Sequence, residues 1–213
     1  MEKKDLKRGA FITFEGFEGS GKSTQIKLLA DFLRRNNYPL LLLREPGSTK
    51  ISEAIRNILL DKKNNRLCEK TELLLYLAAR AQIVQEKISP ALGAGRIVLS
   101  DRFHDATIAY QGFGLRLNSK LIDSLGNFVT GGVWPDLTIL LDIDVKKGLS
   151  RAGRNKDRIE QRSLAYHRRV RQGYLKIAAL NPRRVKVIKV KALQKTQGQI
   201  RKIVMEFLCR LKK

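Results

Sequence analysis

Four short apolar stretches, rich in branched side chains and followed by polar or acidic residues, punctuate the chain at 10–14, 40–43, 96–99 and 137–141. Their length and composition predict buried strands. A fifth stretch, 185–190, is more polar and predicts an edge or late strand. Between them, apolar residues recur every three or four positions, as in Ile26, Leu29, Ala30 and Leu33, or Leu73, Leu74, Leu77 and Ala81. That spacing predicts amphipathic helices. Strands alternating with helices imply an α/β fold, a parallel sheet of about five strands with helices on both faces, whose ligands gather beyond the carboxyl ends of the strands. Two segments, 61–70 and 151–159, have no apolar stripe and are expected to be mobile, the second as a lid. Helical spacing resumes through Leu164, Val170, Tyr174, Ile177 and Ala178, with Arg168, Arg169 and Arg171 on the polar side, and is expected to end before Asn181-Pro182.

The chain of 213 residues suits one domain spanning 1–213. No apolar run approaches the roughly 18 residues of a membrane span, and the first ten residues lack a signal peptide's apolar stretch. A cytoplasmic protein with no membrane partner is expected. Cys68 and Cys209 show no metal-ligand spacing and read as ordinary thiols. The net charge of +23 is uneven: from Lys146 to the end, 22 Lys and Arg face three acids. Clustered cations favour nucleic acid through counterion release, and they equally suit a basic surface around a nucleotide site. Without aromatic interleaving, the second reading is preferred.

The run Gly16-Phe17-Glu18-Gly19-Ser20-Gly21-Lys22-Ser23-Thr24 follows the first strand and opens a helix. It fits the phosphate-loop pattern G-x-x-x-x-G-K-[ST] at every fixed position. Glycines let backbone N–H groups curl inward, and the helix adds its positive end, so the run predicts ATP or GTP bound as a polyphosphate. Lys22 is expected on the β and γ phosphates and the Ser23 hydroxyl on Mg²⁺. At the end of another strand, Asp101 suits magnesium and its water shell, and Arg102 suits a phosphate.

Over nearly its whole length the chain resembles the bacterial thymidylate kinases. The matching segments are FITFEGFEGSGKST (11–24), REPGST (44–49), LLLYLAARAQ (73–82), SDRFHDATIAYQGFG (100–114), FVTGGVWPDLTILLDID (128–144) and DRIEQRSLAYHRRVRQGYL (157–175). Their order is far more specific than a phosphate loop alone. The resemblance implies a three-layer P-loop NTPase fold, a homodimer, and transfer of the γ-phosphoryl of ATP to thymidine 5′-monophosphate (dTMP).

Carried over by position, it implies that Tyr76 stacks on the pyrimidine, that Arg80 bonds a base carbonyl, and that Arg102 holds the acceptor phosphate with Arg56. It puts Thr107 against the thymine ring, and Tyr110 and Gln111 along the deoxyribose. Pro46 and Gly47 shape a turn beside the acceptor phosphate, and Glu18 faces the acceptor from inside the donor loop. The loop contains no arginine, so the resemblance implies one delivered by the lid, from among Arg151, Arg154 and Arg158. Catalysis is assigned to Lys22 and Arg102 with Arg151 or Arg154. His104 and His167 read as incidental, and Asp142 as a helix cap. Four departures from the family pattern stand out: Ala106 for a common serine, Ser48 for the second glycine of a usual REPGGT turn, a lid a little shorter than common versions, and Arg162 where an acid is frequent. The alternative from another class is a P-loop ATPase that binds nucleic acid through the basic C-terminal third.

Overall fold

The five apolar stretches form strands β1 (Ala10–Gly16), β2 (Leu40–Arg44), β3 (Ile97–Asp101), β4 (Leu137–Asp142) and β5 (Val185–Lys189). In the computed structural model, which describes residues 8–151, 153 and 157–211, they make one parallel sheet in the order β2-β3-β1-β4-β5. The helices, in chain order, are α1 (Lys22–Arg35), α2 (Lys50–Leu60), α3 (Glu69–Ile83), α4 (Ser89–Gly93), α5 (His104–Thr107), α6 (Ser119–Thr130), α7 (Val145–Arg151), α8 (Leu164–Leu180) and α9 (Leu193–Leu211). The polar fifth stretch is an edge strand, as its lysines require. All seven residues of β1 are buried, since it lies between two neighbours and under both helical layers.

Period-two alternation assigns the faces. Ile12, Phe14, Leu99, Ile139 and Leu141 pack with Leu29 and Leu33 of α1 and with Ile200, Val204 and Leu208 of α9. On the opposite face Phe11, Val98 and Phe103 meet Ile83 and Ile88. Beside them Leu140 joins Tyr166, Val170, Tyr174 and Ile177 of α8. The chain passes from β3 over β1 to β4, so the carboxyl ends of β1, β3 and β4 open one crevice at the point where the strand order reverses.

Within 61–70, Lys62–Asn64 form one 3₁₀ turn, and the Asp61 carboxylate accepts the Lys63 N–H at 2.9 Å; none of the ten residues is buried, in keeping with their lack of an apolar stripe. The helix through Ala109-Tyr110-Gln111 widens into a π-turn over Ile108–Gly114. Two sequence expectations are corrected. Leu74 is 57% exposed, so the buried stripe of α3 runs through Leu73, Leu77 and the polar Glu72 and Arg80 instead. Asp142 caps nothing: it accepts two bonds from Arg171, at 2.7 and 2.9 Å, and α7 is capped by Asp144, which accepts the N–H groups of Lys146 and Lys147.

Candidate active site

At the end of β1 the chain turns through Gly16 at φ 136°, where a Cβ would lie 2.4 Å from the Leu141 carbonyl oxygen. Only glycine fits there. The loop leads into α1, whose start carries no side-chain cap and no acid in its first turn. Its N–H groups are thereby left for an anion. The Lys22 ammonium donates to the carbonyls of Gly16 and Phe17 at 2.9 and 3.1 Å, folded back along the loop. Burial, helped by the nearby Arg102 charge, pushes its pKa down to about 8. The Ser20 hydroxyl is buried and has no partner within the described residues. Phe17 contributes its backbone to the cradle; its ring anchors the loop in a small cluster with Ile143 and Val145, edge-on to His167. Gly19 packs its backbone against Gly148 of α7, Gly21 takes the left-handed conformation before α1, and Thr24 sits exposed on the helix.

Ser23 Oγ donates to Asp101 Oδ2 at 2.9 Å, which joins the start of α1 to the end of β3. Two hard oxygen donors beside an uncapped phosphate cradle are the donor set Mg²⁺ takes when substrate phosphates and water complete its shell. The residues present therefore fit that ion.

Next to the cradle lies a cavity of about 340 Å³ lined by Glu18, Pro46, Arg56, Tyr76, Arg80, Arg102, Thr107, Tyr110 and Gln111, together with Lys22, Ser23 and Asp101. Apart from Gly47, every residue that the resemblance places by the acceptor lines this one cavity. Arg102 holds a left-handed backbone, φ 74°, and its guanidinium reaches Glu18 at 2.9 Å and Tyr174 at 3.0 Å, lying 4.9 Å from the Tyr110 ring centroid. Glu18 also accepts the Tyr110 hydroxyl, and its second oxygen is buried without a partner in the described residues. Burial opposes ionisation of Glu18, but the Arg102 and Lys22 charges and the Tyr110 bond outweigh it and hold its carboxyl below the ordinary range.

Arg56 donates to the Pro46 carbonyl at 2.8 Å. Ser48 keeps the backbone of the glycine it replaces, φ 69°, with its hydroxyl bonded to the Arg44 N–H and carbonyl. The last departure, Arg162, has a clear employment on Glu72, given below. Arg80 is almost fully buried: Glu45 accepts from its Nε and Nη2 at 2.7–3.1 Å, and Nη1 lies 3.2 Å from His104 Nδ1. Since a guanidinium only donates, His104 Nδ1 accepts, and its Nε2–H points to Asp123 Oδ1 at 3.2 Å. His104 is therefore a support of the site, not an incidental residue, and burial lowers its pKa in keeping with that neutral form.

The lid arginines separate. Arg154 lies outside the described residues. Arg151, exposed at the end of α7, has its Cβ against the backbone of Gly19 and so stands beside the donor loop. Arg158 is bonded within the protein, its side chain 8% exposed. It bonds the Leu59 carbonyl at 2.8 Å and Glu72 at 2.6 Å, while Asp157 folds a turn by accepting the Ile159 and Glu160 N–H groups. Ile159 is buried, so this end of the expected lid belongs to the core. The buried Glu72 carboxylate receives Arg158 and Arg162 on one oxygen, each at 2.6 Å, and Gln111 on the other at 3.0 Å.

Sequence reasoning missed four residues of this machinery: Glu15, Glu45, Glu72 and Tyr174. Each of the three acids interrupts or flanks an apolar run, which is the available signal; nothing local marks the tyrosine. Burial, with Asp105 nearby, pushes the Glu15 carboxyl up to about 8.

Comparison with known proteins is consistent with this geometry. The family model described as thymidylate kinase matches residues 14–200. The chain is similar to the thymidylate kinase of Geotalea uraniireducens, 48% identical over 92% of this chain and 97% of that one. It is likewise similar to that of Kosmotoga olearia, 46% identical over 95% and 97%. A crystal structure of thymidylate kinase from Ehrlichia chaffeensis superposes with a TM-score of 0.76 at 37% identity, covering 92% of this chain and 98% of the other. With its phosphate loop, its strand-end Asp-Arg pair and a match that spans most of its length, the chain belongs to the thymidylate kinase family.

Proposed function

We propose that this site transfers the γ-phosphoryl group of ATP to the 5′-phosphate of dTMP, giving the diphosphate. Family membership carries the kinase activity. The observation that supports the residue roles is the single cavity in which Glu18, Tyr76, Arg80, Arg102 and Tyr110 face Lys22 and Ser23.

An acceptor that is already an anionic phosphate oxygen needs alignment and charge neutralisation more than a base. Lys22 swings from the Gly16 and Phe17 carbonyls onto the β and γ phosphates. Arg102, with Arg56, holds the acceptor phosphate. Tyr76 stacks on the pyrimidine, and Arg80, fixed by Glu45 and His104, aims at a base carbonyl, with Thr107 and Gln111 closing the wall. Tyr110 crowds the position of a 2′-hydroxyl, and Glu18 offers its free oxygen to the sugar's 3′-hydroxyl. Ser23 and Asp101 would hold Mg²⁺, which supplies neutralisation of charge on the phosphate oxygens. Arg151 or Arg154 completes the site when the lid closes and excludes water, the competing acceptor.

A homodimer is part of this reading. Leu74 of α3 and Leu121 and Phe128 of α6 are exposed on adjoining helices, an apolar surface suited to a second copy. No helix among the described residues is long and apolar enough to cross a membrane. Nothing in the site or the relatives supports the nucleic-acid-bound ATPase. A coupled kinase assay across thymidine, uridine, cytidine and guanosine monophosphates tests the function, with dTMP expected well ahead. Rapid turnover of another monophosphate and none of dTMP would overturn the acceptor. Repeating it with Arg151→Ala and Arg154→Ala tests the lid: a loss of ~10³ is expected for the arginine that reaches the phosphates.

A further inference from the structure

We propose that Glu15 and Tyr174 act as a positioning pair that fixes both the backbone and the guanidinium of Arg102, and so sets the affinity for the acceptor's phosphate. The proposal builds on the reading of Arg102 as the acceptor-phosphate residue.

Arg102 has a positive φ without being glycine, a conformation that persists only where the surroundings over-determine it. The surroundings do so here on each side. Its own N–H donates to the Phe14 carbonyl at 2.9 Å, and its carbonyl accepts the Ser100 hydroxyl at 2.8 Å. The next N–H, of Phe103, donates to Glu15 Oε1 at 2.7 Å. Phe103 is itself locked in the core, edge-on to Phe11 at 4.8 Å between centroids. Glu15 therefore holds the peptide that immediately follows the strained residue.

The same carboxylate also reaches the far end of the side chain. Glu15 Oε2 accepts the Tyr174 hydroxyl at 2.8 Å, and that hydroxyl accepts from Arg102 Nη1 at 3.0 Å. A hydroxyl has one proton, so a Tyr174 that donates to Glu15 must present its lone pairs to Arg102. Glu15 thereby dictates the direction in which Tyr174 meets the guanidinium. With Nη2 on Glu18, the two terminal nitrogens are both held, and the guanidinium plane is defined before any ligand enters. Glu15 is fully buried and Tyr174 nearly so, and neither lines the cavity, which marks them as positioning rather than catalytic residues. Besides Tyr174, the charged groups around Glu15 are Asp105, Arg102, Lys22 and Arg184.

The test uses the full chain at about pH 9, above the value of about 8 for Glu15, so that the wild-type carboxylate is ionised. dTMP, thymidine and ATP are titrated separately by calorimetry into wild type, Glu15→Gln, Tyr174→Phe and the double variant. Glutamine keeps the shape but turns a donor toward the tyrosine; phenylalanine removes only the hydroxyl. Each single variant is expected to weaken dTMP about tenfold, with thymidine and ATP changed less than about twofold. The double variant should lose about as much as one single, because both break the same chain of bonds. Equal weakening of dTMP, thymidine and ATP, an unchanged dTMP affinity in both singles, or losses that multiply to about a hundredfold in the double would overturn the pair. Failure of the wild type to bind dTMP would instead overturn the acceptor assignment itself.

Discussion

Glu72 is the residue whose removal should most disturb the join between the acceptor wall and the lid root. Its carboxylate is fully buried, and its partners Arg158 and Arg162 are 8% and 19% exposed, so solvent cannot replace it. Breaking a buried ion pair by deleting one partner costs about 3–5 kcal/mol, because a buried charge is left uncompensated. Both arginines keep one other bond, Arg158 to the Leu59 carbonyl and Arg162 to the Tyr166 hydroxyl at 2.9 Å, which argues for the lower end. The stranded Gln111 amide adds about 1 kcal/mol. Glu72→Ala should therefore cost about 4 kcal/mol, or a fall in Tm of about 8–16 °C for a chain of this size. Glu72→Gln, which keeps an accepting oxygen but no charge, should lose about half as much. Thermal unfolding by circular dichroism with a matching urea titration measures both. An alanine variant within about 2 °C of wild type would refute the claim that this carboxylate balances the two arginines.

Lys22 yields a test of charge. Its pKa is depressed to about 8 without phosphates, and a bound polyphosphate favours the ammonium form and raises it. At pH 8, ATP binding should take up roughly half a proton, read by calorimetry in two buffers of different ionisation enthalpy; no uptake, or release, would contradict the assigned contact. Glu18→Ala should raise KM for dTMP by about tenfold while leaving ATP affinity within about twofold, and equal losses for both would remove its acceptor role. At Gly126, a Cβ would lie 2.0 Å from His104 Cε1, so Gly126→Ala must push the imidazole off Arg80. A loss of about 2 kcal/mol in stability with a higher KM for dTMP is expected from kinetics and denaturant titration, and an unaltered KM would detach His104 from the acceptor site.

The strands and the phosphate cradle were legible because each depends on contiguous residues, and the alternation of strands with helices implied a parallel sheet but not its strand order. An apolar run of five can only be buried, and G-x-x-x-x-G-K-S between a strand and a helix has few other uses. The strand-end Asp101-Arg102 pair was legible for the same reason. Errors arose where a local signal had two outcomes. Asp142 reads as a cap, but Arg171 lies within reach and a bidentate charged pair is the stronger bond. Residues 151–159 lack a stripe, yet the single Ile159 is enough to seat the end of that segment in the core.

What the amino-acid sequence determined by itself is the donor half of the chemistry and the identity of the family, since motif order survives without coordinates. Only the tertiary structure decided which acid answers which base. The chain has 43 Lys and Arg and 20 Asp and Glu, and spacing cannot pair them. Glu72 finds Arg158 across 86 positions, Arg80 finds Glu45 across 35, and Tyr174 finds Glu15 across 159. Such pairs form only when packing brings the side chains together out of water, where an unmatched charge costs too much to remain. That same burial turns His104 from an isolated histidine into a support for Arg80, and ties Arg158 to Glu72.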